Sequence, residues 1–256
     1  MVQVGRLIDS GLIDGVTSQA VDEAVLEAKV RDMVPNTLHL YRRKPPAVSL
    51  GKFQRIEEVV DLEYCRQRGI NILRRISGGR EVYTDSNCLE YALIVNQEYQ
   101  EIPVDIIESF KVICTGIIMA LKKLNIDAFY KPINDVLVGG RKISGNAQRR
   151  KGSILLQHGT ILVDADFESM SKALKRGDDG AAKLMEKLTT IRMETKQSNT
   201  IEEVTKTIKA GFEENLSMKL VSGKLIPWEA GKVKELAKRY RARSWIFFAH
   251  PPHKKQ

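Results

Sequence analysis

An α+β fold, a mixed and mostly antiparallel sheet flanked by helices, is what three features of this 256-residue chain predict. Strand-like segments cluster early, helix-like segments cluster late, and the strands are joined mainly through hairpin signals rather than helical crossovers. With 43% apolar residues the chain can bury a substantial core without staples.

Each element follows from local pattern. In TSQAVDEAVLEAKVR, Thr17 or Ser18 can cap a helix whose Val21, Ala24, Val25 and Ala28 form one apolar stripe suited to a sheet. Thr37 to Tyr41 and Ala47 to Leu50, separated by Pro45-Pro46, read as strands, and Asp61 to Arg68 as a short helix. Asn71 to Ile76 is a strand that ends in a glycine pair, while Leu89, Tyr91, Leu93 and Val95 alternate down the next strand. The glycine segment is therefore a strand-to-strand loop. From Asp105 to Asn125 the residues Ile106, Phe110, Ile113, Ile117, Leu121 and Leu124 recur at helical spacing, the mark of a long amphipathic helix. Val136 to Val138, Gly139-Gly140 and Lys142 to Ser144 form a hairpin signal, and Ile154 to Val163 is a further strand. Helices are then expected at Phe167 to Lys175, Ala181 to Leu188 and Ile201 to Leu216, with a last one started by Pro227.

Composition restricts function. A net charge of +9 favours an anionic partner, but aromatic residues are only 6% and are not interleaved with the basic clusters, which argues against nucleic acid. Three cysteines without C-x-x-C spacing suggest neither a disulfide framework nor a zinc knuckle, so a reducing cytoplasm is expected. No apolar run approaches the roughly 18 to 20 residues of a membrane span, and the N-terminus lacks a signal pattern, so no membrane partner is expected.

Three segments carry chemistry. In RRISGGREVYTD the paired Gly78 and Gly79 let backbone amides approach a ligand, and Arg74, Arg75 and Arg80 add forked donors suited to phosphate or carboxylate. An ordinary charged hairpin turn has the same look. In KPINDVLVGGRKISGNA, Asn134-Asp135 and Lys142 lie on two arms of one hairpin and can face one pocket, although a surface lysine and a strand-end acid would read alike. In QHGTILVD, His158 lies within an apolar strand, where a hydrogen-bonded structural role is favoured over a catalytic one.

Taken in order, R-R-x-[ST]-G-G-[GR]-x-V-x-x-D, N-D-V-x-V-x-G-[RK]-K-I-S-G-x-A and H-G-T-x-L-x-x-D resemble the lipoate-protein ligase family of the biotin and lipoate ligase superfamily. RLIDSGLIDGVTSQAVDEAVL and PPAVSLGKFQ extend the resemblance over about Arg6 to Asp166. It implies a biotin/lipoate ligase-like catalytic domain over 1–217 and a short C-terminal extension, 218–256, packed on it. The implied reaction is two-step: lipoate and MgATP give lipoyl-AMP, and a lysine of an acceptor lipoyl-domain protein, of the E2 or H-protein type, then takes the acyl group. A separate accessory subunit for activation is a further expectation, because the tail is short.

By the same resemblance Lys142 is the catalytic residue, steadying negative charge near the acyl carbonyl and phosphate. Arg75, Ser77, Gly78, Gly79, Arg80, Val82 and Tyr83 match the loop around the lipoyl and phosphate groups. Asn134 and Asp135 match the nucleotide motif, with Asp135 as magnesium ligand, and Gly145, Ala147, His158, Gly159 and Thr160 shape the site. Glu81 and Thr84 depart from the family's loop, which usually has a small residue and a histidine there.

The runner-up is an octanoyl or lipoyl transferase of the cysteine type acting between carrier proteins. It shares most motifs but needs a thiolate near the segment before Asn134, where Asp127 to Ile133 holds no cysteine; Cys88 stays as an alternative nucleophile. Biotin ligation is disfavoured because its arginine-glycine run is missing, and a non-catalytic binding module because Lys142, Asp135 and the glycine pair occur together.

Overall fold

A computed structural model of the chain describes residues 3–98, 102–176, 180–196 and 199–247. In chain order the elements are β1 (Gln3–Ile13), α1 (Gly15–Val30), β2 (Thr37–Arg43), β3 (Ala47–Leu50), α2 (Ile56–Val59), α3 (Leu62–Gln67), β4 (Asn71–Arg74), β5 (Val82–Thr84) and β6 (Cys88–Asn96). There follow α4 (Ile106–Lys123), β7 (Phe129–Lys131), β8 (Asp135–Val138), β9 (Arg141–Lys151), β10 (Ile154–Leu162) and α5 (Phe167–Ala173). The chain continues with α6 (Gly180–Lys187), α7 (Ile191–Thr195), α8 (Ile201–Asn215), β11 (Met218–Ser222), α9 (Pro227–Arg241) and α10 (Arg243–Phe247).

The strands form an eight-stranded sheet, ordered β11-β1-β2-β6-β10-β9-β8-β7, and a three-stranded sheet, ordered β4-β3-β5. In the large sheet only β11/β1 and β1/β2 pair in parallel, so the expected α+β class with a mixed, mostly antiparallel sheet is what the chain forms. The sequence pattern does not mark the strands at 3–13, 82–84, 129–131 and 218–222 or the short helices at 56–59, 191–195 and 243–247. β1 alternates poorly and is half exposed, and β11 gains its ladder only by pairing with β1, more than two hundred residues away, so neither carries a strong local signal.

Helices cover both faces of the large sheet. On one face Leu38, Leu40, Leu89, Tyr91, Leu93 and Val95 pack with Ile113, Ile117 and Leu121 of α4 and Ile208 and Phe212 of α8. On the other, Ala92, Ile94 and Leu156 meet Val21, Val25 and Leu26 of α1, and α9 packs on the outside of α1. The alternation of the strands decides which face each residue serves, because successive side chains point to opposite sides. α1 starts one turn earlier than Thr17 or Ser18 would place it: Asp14 is the cap, its carboxylate accepting from the backbone amides of Val16 and Thr17. Asp105 and Asp61 cap α4 and α3 in the same way.

The tail is tied to the sheet by a buried ion pair. Arg6 of β1 grips Glu229 of α9 with two parallel bonds, 2.8 Å and 2.6 Å, and Glu229 is fully buried. Substituting Arg6 by Ala leaves that carboxylate buried and unpaired, which should cost about 3 to 5 kcal/mol. Urea denaturation checks this, and a loss below about 1 kcal/mol, the scale of an exposed pair, would show that the pair is not what anchors α9.

Candidate active site

A cleft of about 1330 Å³ runs between the α1-side face of the large sheet and the loop joining β4 to β5. Lys142, Arg75, Ser77, Gly78, Gly79, Arg80, Val82, Tyr83, Asn134, Asp135, Gly145, Ala147, His158, Gly159 and Thr160 all line it. The structure thus gathers every expected site residue into one place, from four stretches of chain.

The glycine loop is braced from inside. Arg75 is buried and spends its guanidinium on the loop itself, donating to the carbonyls of Ser49 (2.8 Å), Gly78 (2.7 Å) and Arg80 (2.8 Å) and to Ser77 Oγ (3.1 Å). Arg74 is likewise buried; it donates to the carbonyls of Gly51, Lys52 and Gln54, and to that of Ile246 in α10, whose Trp245 donates back to Arg74 O. These two arginines are struts rather than the ligand donors expected of them, and of the three only Arg80 is exposed. Gly79 has φ +92°, and a Cβ on Gly51 would stand 2.0 Å from Gly79 O, so the loop closes only over glycine. Glu81 neither points to solvent nor leaves its carboxylate loose in the cleft, since it pairs with Arg176 and accepts from Gln54 at 2.5 Å. Thr84, at the histidine position of the family loop, accepts from Arg43 at 3.2 Å.

Lys142 reaches the cleft through a bulge. The β8/β9 register shifts between Val136 and Leu137, so that Ile143 joins the core on the opposite face while Lys142 turns toward Asp135. Its ammonium lies 3.3 Å from Asp135 Oδ1, both side chains being about one-third exposed. Asp135 is a single carboxylate already engaged by an ammonium, and among the described residues no group of three or more His, Cys, Asp or Glu stands together as a metal site. The pairing positions the lysine, and a single carboxylate is compatible with a magnesium ion held mainly by substrate phosphates. Asn134 lines the cleft but donates to the carbonyl of Asn146, whose own amide donates back to Asn134 O at 2.9 Å, fixing the hairpin arms to each other.

Beneath the cleft lies a buried polar cluster that pattern reading did not find. His39, Ala92 and His158 occupy one cross-strand row of β2, β6 and β10, all facing α1. The small Ala92 leaves room between the rings, and Asp22 of α1 is hydrogen-bonded there. Its Oδ1 is 2.8 Å from His39 Nδ1, and its Oδ2 lies 3.0 Å from Tyr41 Oη and 3.5 Å from His158 Nδ1. A carboxylate can only accept, so both rings carry their proton on Nδ1 and present Nε2 as acceptor. His39 Nε2 meets Ser10 Oγ at 2.9 Å, and His158 Nε2 meets Ser77 Oγ at 2.6 Å. Burial alone would raise the Asp22 pKa, but the hydrogen bonds from His158 and His39 outweigh it and bring it down to about 2. Burial lowers the His158 pKa, opposed by Asp22 and reinforced by Arg75 and Arg43. Arg43 pairs with buried Glu90 at 3.0 Å; burial, only partly offset by that arginine, pushes Glu90 up to about 7.

No cysteine lines the cleft. Cys65, Cys88 and Cys114 are all buried, and burial raises each thiol, Cys65 to about 11 and Cys114 to about 12. Cys88 points to the backbone carbonyl of Ile161, which removes it as a nucleophile.

Because Asp22 holds its proton less readily when folded than at the unfolded value of about 3.9, its contribution to stability is complete above that pH and is lost as the pH falls toward 2. Asp22→Asn should be less stable at neutral pH and should flatten the acid limb of stability; urea midpoints measured down the acid range check it, and parallel curves for the two proteins would contradict it.

Comparison with known proteins places the chain. Residues 14–213 match the family model described as the lipoyl protein ligase A/B catalytic domain. The octanoyltransferase LipM of Geobacillus kaustophilus is 31% identical, the match covering 96% of this chain and 98% of that protein. Among solved structures, the bi-partite lipoate protein ligase described with its E2 lipoyl domain from Thermoplasma acidophilum superposes with a TM-score of 0.87 at 26% identity, over 98% of this chain and 99% of that one. A lipoate-protein ligase A bound with ATP gives 0.84 at 25% identity, over 96% and 99% of the two chains. The expectation of an ATP-dependent lipoate ligase is corrected by the full-length relatives, which carry the name octanoyltransferase. What the fold, the cleft and the matched residues establish is that the chain is an enzyme belonging to the lipoyl protein ligase A/B catalytic-domain family.

Proposed function

We propose that this chain is a cytoplasmic octanoyltransferase, moving a medium-chain acyl group from a carrier-protein thioester to a lysine of an acceptor lipoyl domain. The observation that carries this reading is Lys142, held by Asp135 in a long cleft opposite the glycine loop, in a chain related over nearly its whole length to octanoyltransferases. A thioester is already activated, so the reaction asks the protein for position and charge stabilisation and for no nucleotide.

The acyl chain lies among the apolar lining, which includes Val82, Leu162, Met170 and Leu174. Its carbonyl oxygen turns toward the Lys142 ammonium, which stabilises the oxyanion as the acceptor amine attacks; the glycine loop closes over the reacting carbonyl and limits water. With every thiol buried away from the cleft, the acyl group passes directly from donor to acceptor, without an enzyme thioester.

The test is transfer of octanoyl from an octanoyl carrier protein to a purified lipoyl domain without ATP, read as a mass gain of one octanoyl group on the domain. Absence of transfer, or transfer only on adding ATP, would remove the reading. Lys142→Ala should lower the single-turnover rate by about 10²- to 10³-fold while leaving the thermal midpoint near that of the wild type; an unchanged rate would take the oxyanion role from Lys142. Pretreatment of the native protein with iodoacetamide should leave transfer intact, and stoichiometric loss of activity with labelling of one cysteine would point to a thiol route.

A further inference from the structure

We propose that Ser77, His158 and Asp22 form a proton relay that takes the proton of the attacking lysine amine and delivers it to the departing thiolate. This rests on the transfer reaction proposed above, and it assigns chemistry to side chains that pattern reading takes as site-shaping or passes over.

Amide formation from a thioester must move one proton. The amine nitrogen attacks the acyl carbon, a C–N bond forms, and the nitrogen becomes cationic. The C–S bond then breaks, and the sulfur leaves as a thiolate that needs a proton. One group that accepts the first proton and returns it to the sulfur balances the step without any co-reactant. It must face the cleft, hold a free acceptor position, and have a base behind it.

Ser77 lines the cleft, with 1% of it exposed, and meets the other two conditions. A hydroxyl donates one hydrogen bond and accepts two. The Ser77 hydrogen goes to His158 Nε2 at 2.6 Å, and one lone pair accepts from Arg75 Nε at 3.1 Å. Arg75 is a donor only, so the hydroxyl cannot turn its hydrogen that way, and the second lone pair is left for an incoming N–H. His158 lines the cleft with 12% of its side chain exposed, whereas Asp22 lies behind it and keeps the ring in the Nδ1–H tautomer. When the amine proton passes to Ser77 Oγ and the serine proton to His158 Nε2, the imidazolium so formed is paired at once with Asp22. The same ring then returns its proton through Ser77 to the sulfur.

The molecule contains an internal contrast. Ser10, His39 and Asp22 repeat the arrangement on the other oxygen of the same carboxylate, yet neither Ser10 nor His39 lines the cleft. If these contacts served stability alone, the two arms would be equivalent; only the His158 arm ends on the loop that covers the substrate. Burial favours a neutral His158 as its resting form, as a base requires, and the groups that face it are Asp22 from α1, His39 and Arg43 from β2, Glu90 from β6 and Arg75 from the loop. Protonation of His158 before the amine arrives would block the relay, so the rate should fall on the acid side with a midpoint below the ordinary histidine value of about 6.5.

The experiment compares wild type, His158→Gln, Ser77→Ala and Ser10→Ala in single-turnover octanoyl transfer from carrier protein to lipoyl domain, across a pH series, with thermal midpoints recorded for each. A glutamine at 158 can hold both hydrogen bonds but cannot carry the proton. The relay predicts a loss of about 10²- to 10⁴-fold for His158→Gln, disappearance of the acid limb, unchanged donor affinity and a near wild-type midpoint. Ser77→Ala should lose rate comparably, and Ser10→Ala should stay close to wild type. His158→Gln with a wild-type rate and pH profile, or a rate loss only in step with a lost midpoint, would overturn the relay while leaving the transferase reading intact. Failure of the wild type to transfer from the thioester would instead overturn the transferase reading and the relay that rests on it.

Discussion

The carboxylate of Asp22 is a buried negative charge that survives because four groups surround it. Isolated, such a charge would be neutralised by its own pKa shift; here hydrogen bonds from His39, His158 and Tyr41 hold it ionised, with Arg43 nearby. Those partners lie on strands β2 and β10, and Asp22 lies on α1, so the charge ties the helix to the sheet across β6. The requirement acts in both directions. The rings can converge only if the three strands keep a register in which His39, Ala92 and His158 share one row, and only if the middle residue is small.

The glycine loop depends on this anchor from one side and on the tail from the other. His158 holds Ser77 from below, Arg75 fills the inside of the loop, and Arg74 links its base to Ile246 and Trp245 of α10. α10 follows α9, which Arg6 and Glu229 join to β1. A segment with two residues that lack side chains is thereby held from three directions. Such preorganisation suits a reaction in which position and charge do the chemistry, because donors already in place need no reorganisation as the oxyanion forms.

The segment before Asn134 holds no cysteine, but a thiol is not the only route for acyl transfer. Relatives named octanoyltransferase match the chain over nearly its whole length, and the cleft offers an ammonium and a histidine backed by a carboxylate.

The α+β class, the long helix at 106–123, the hairpin around Gly139-Gly140 and the strand-to-strand character of the glycine loop are legible in the chain, and the residues that line the cleft are legible through the family resemblance. These follow from short-range rules: helical or alternating periodicity, turn residues, and three motifs whose members stand close together in the chain. Contact between distant segments is set only in the folded chain. Nothing near Asp22 marks it as more than one acid on an amphipathic helix, and His39 reads as one polar residue in TLHLYRR; their partnership with His158 requires the β2-β6-β10 register and the docking of α1. The inward turn of Arg74 and Arg75 needed the carbonyls of 49–54 and 246 beside them, and β11 needed β1 to exist as a strand. A buried charge network is satisfied by groups brought together in space, whereas periodicity reports only on neighbours in sequence, and that is why the core was legible in the chain and the polar cluster beneath the cleft was not.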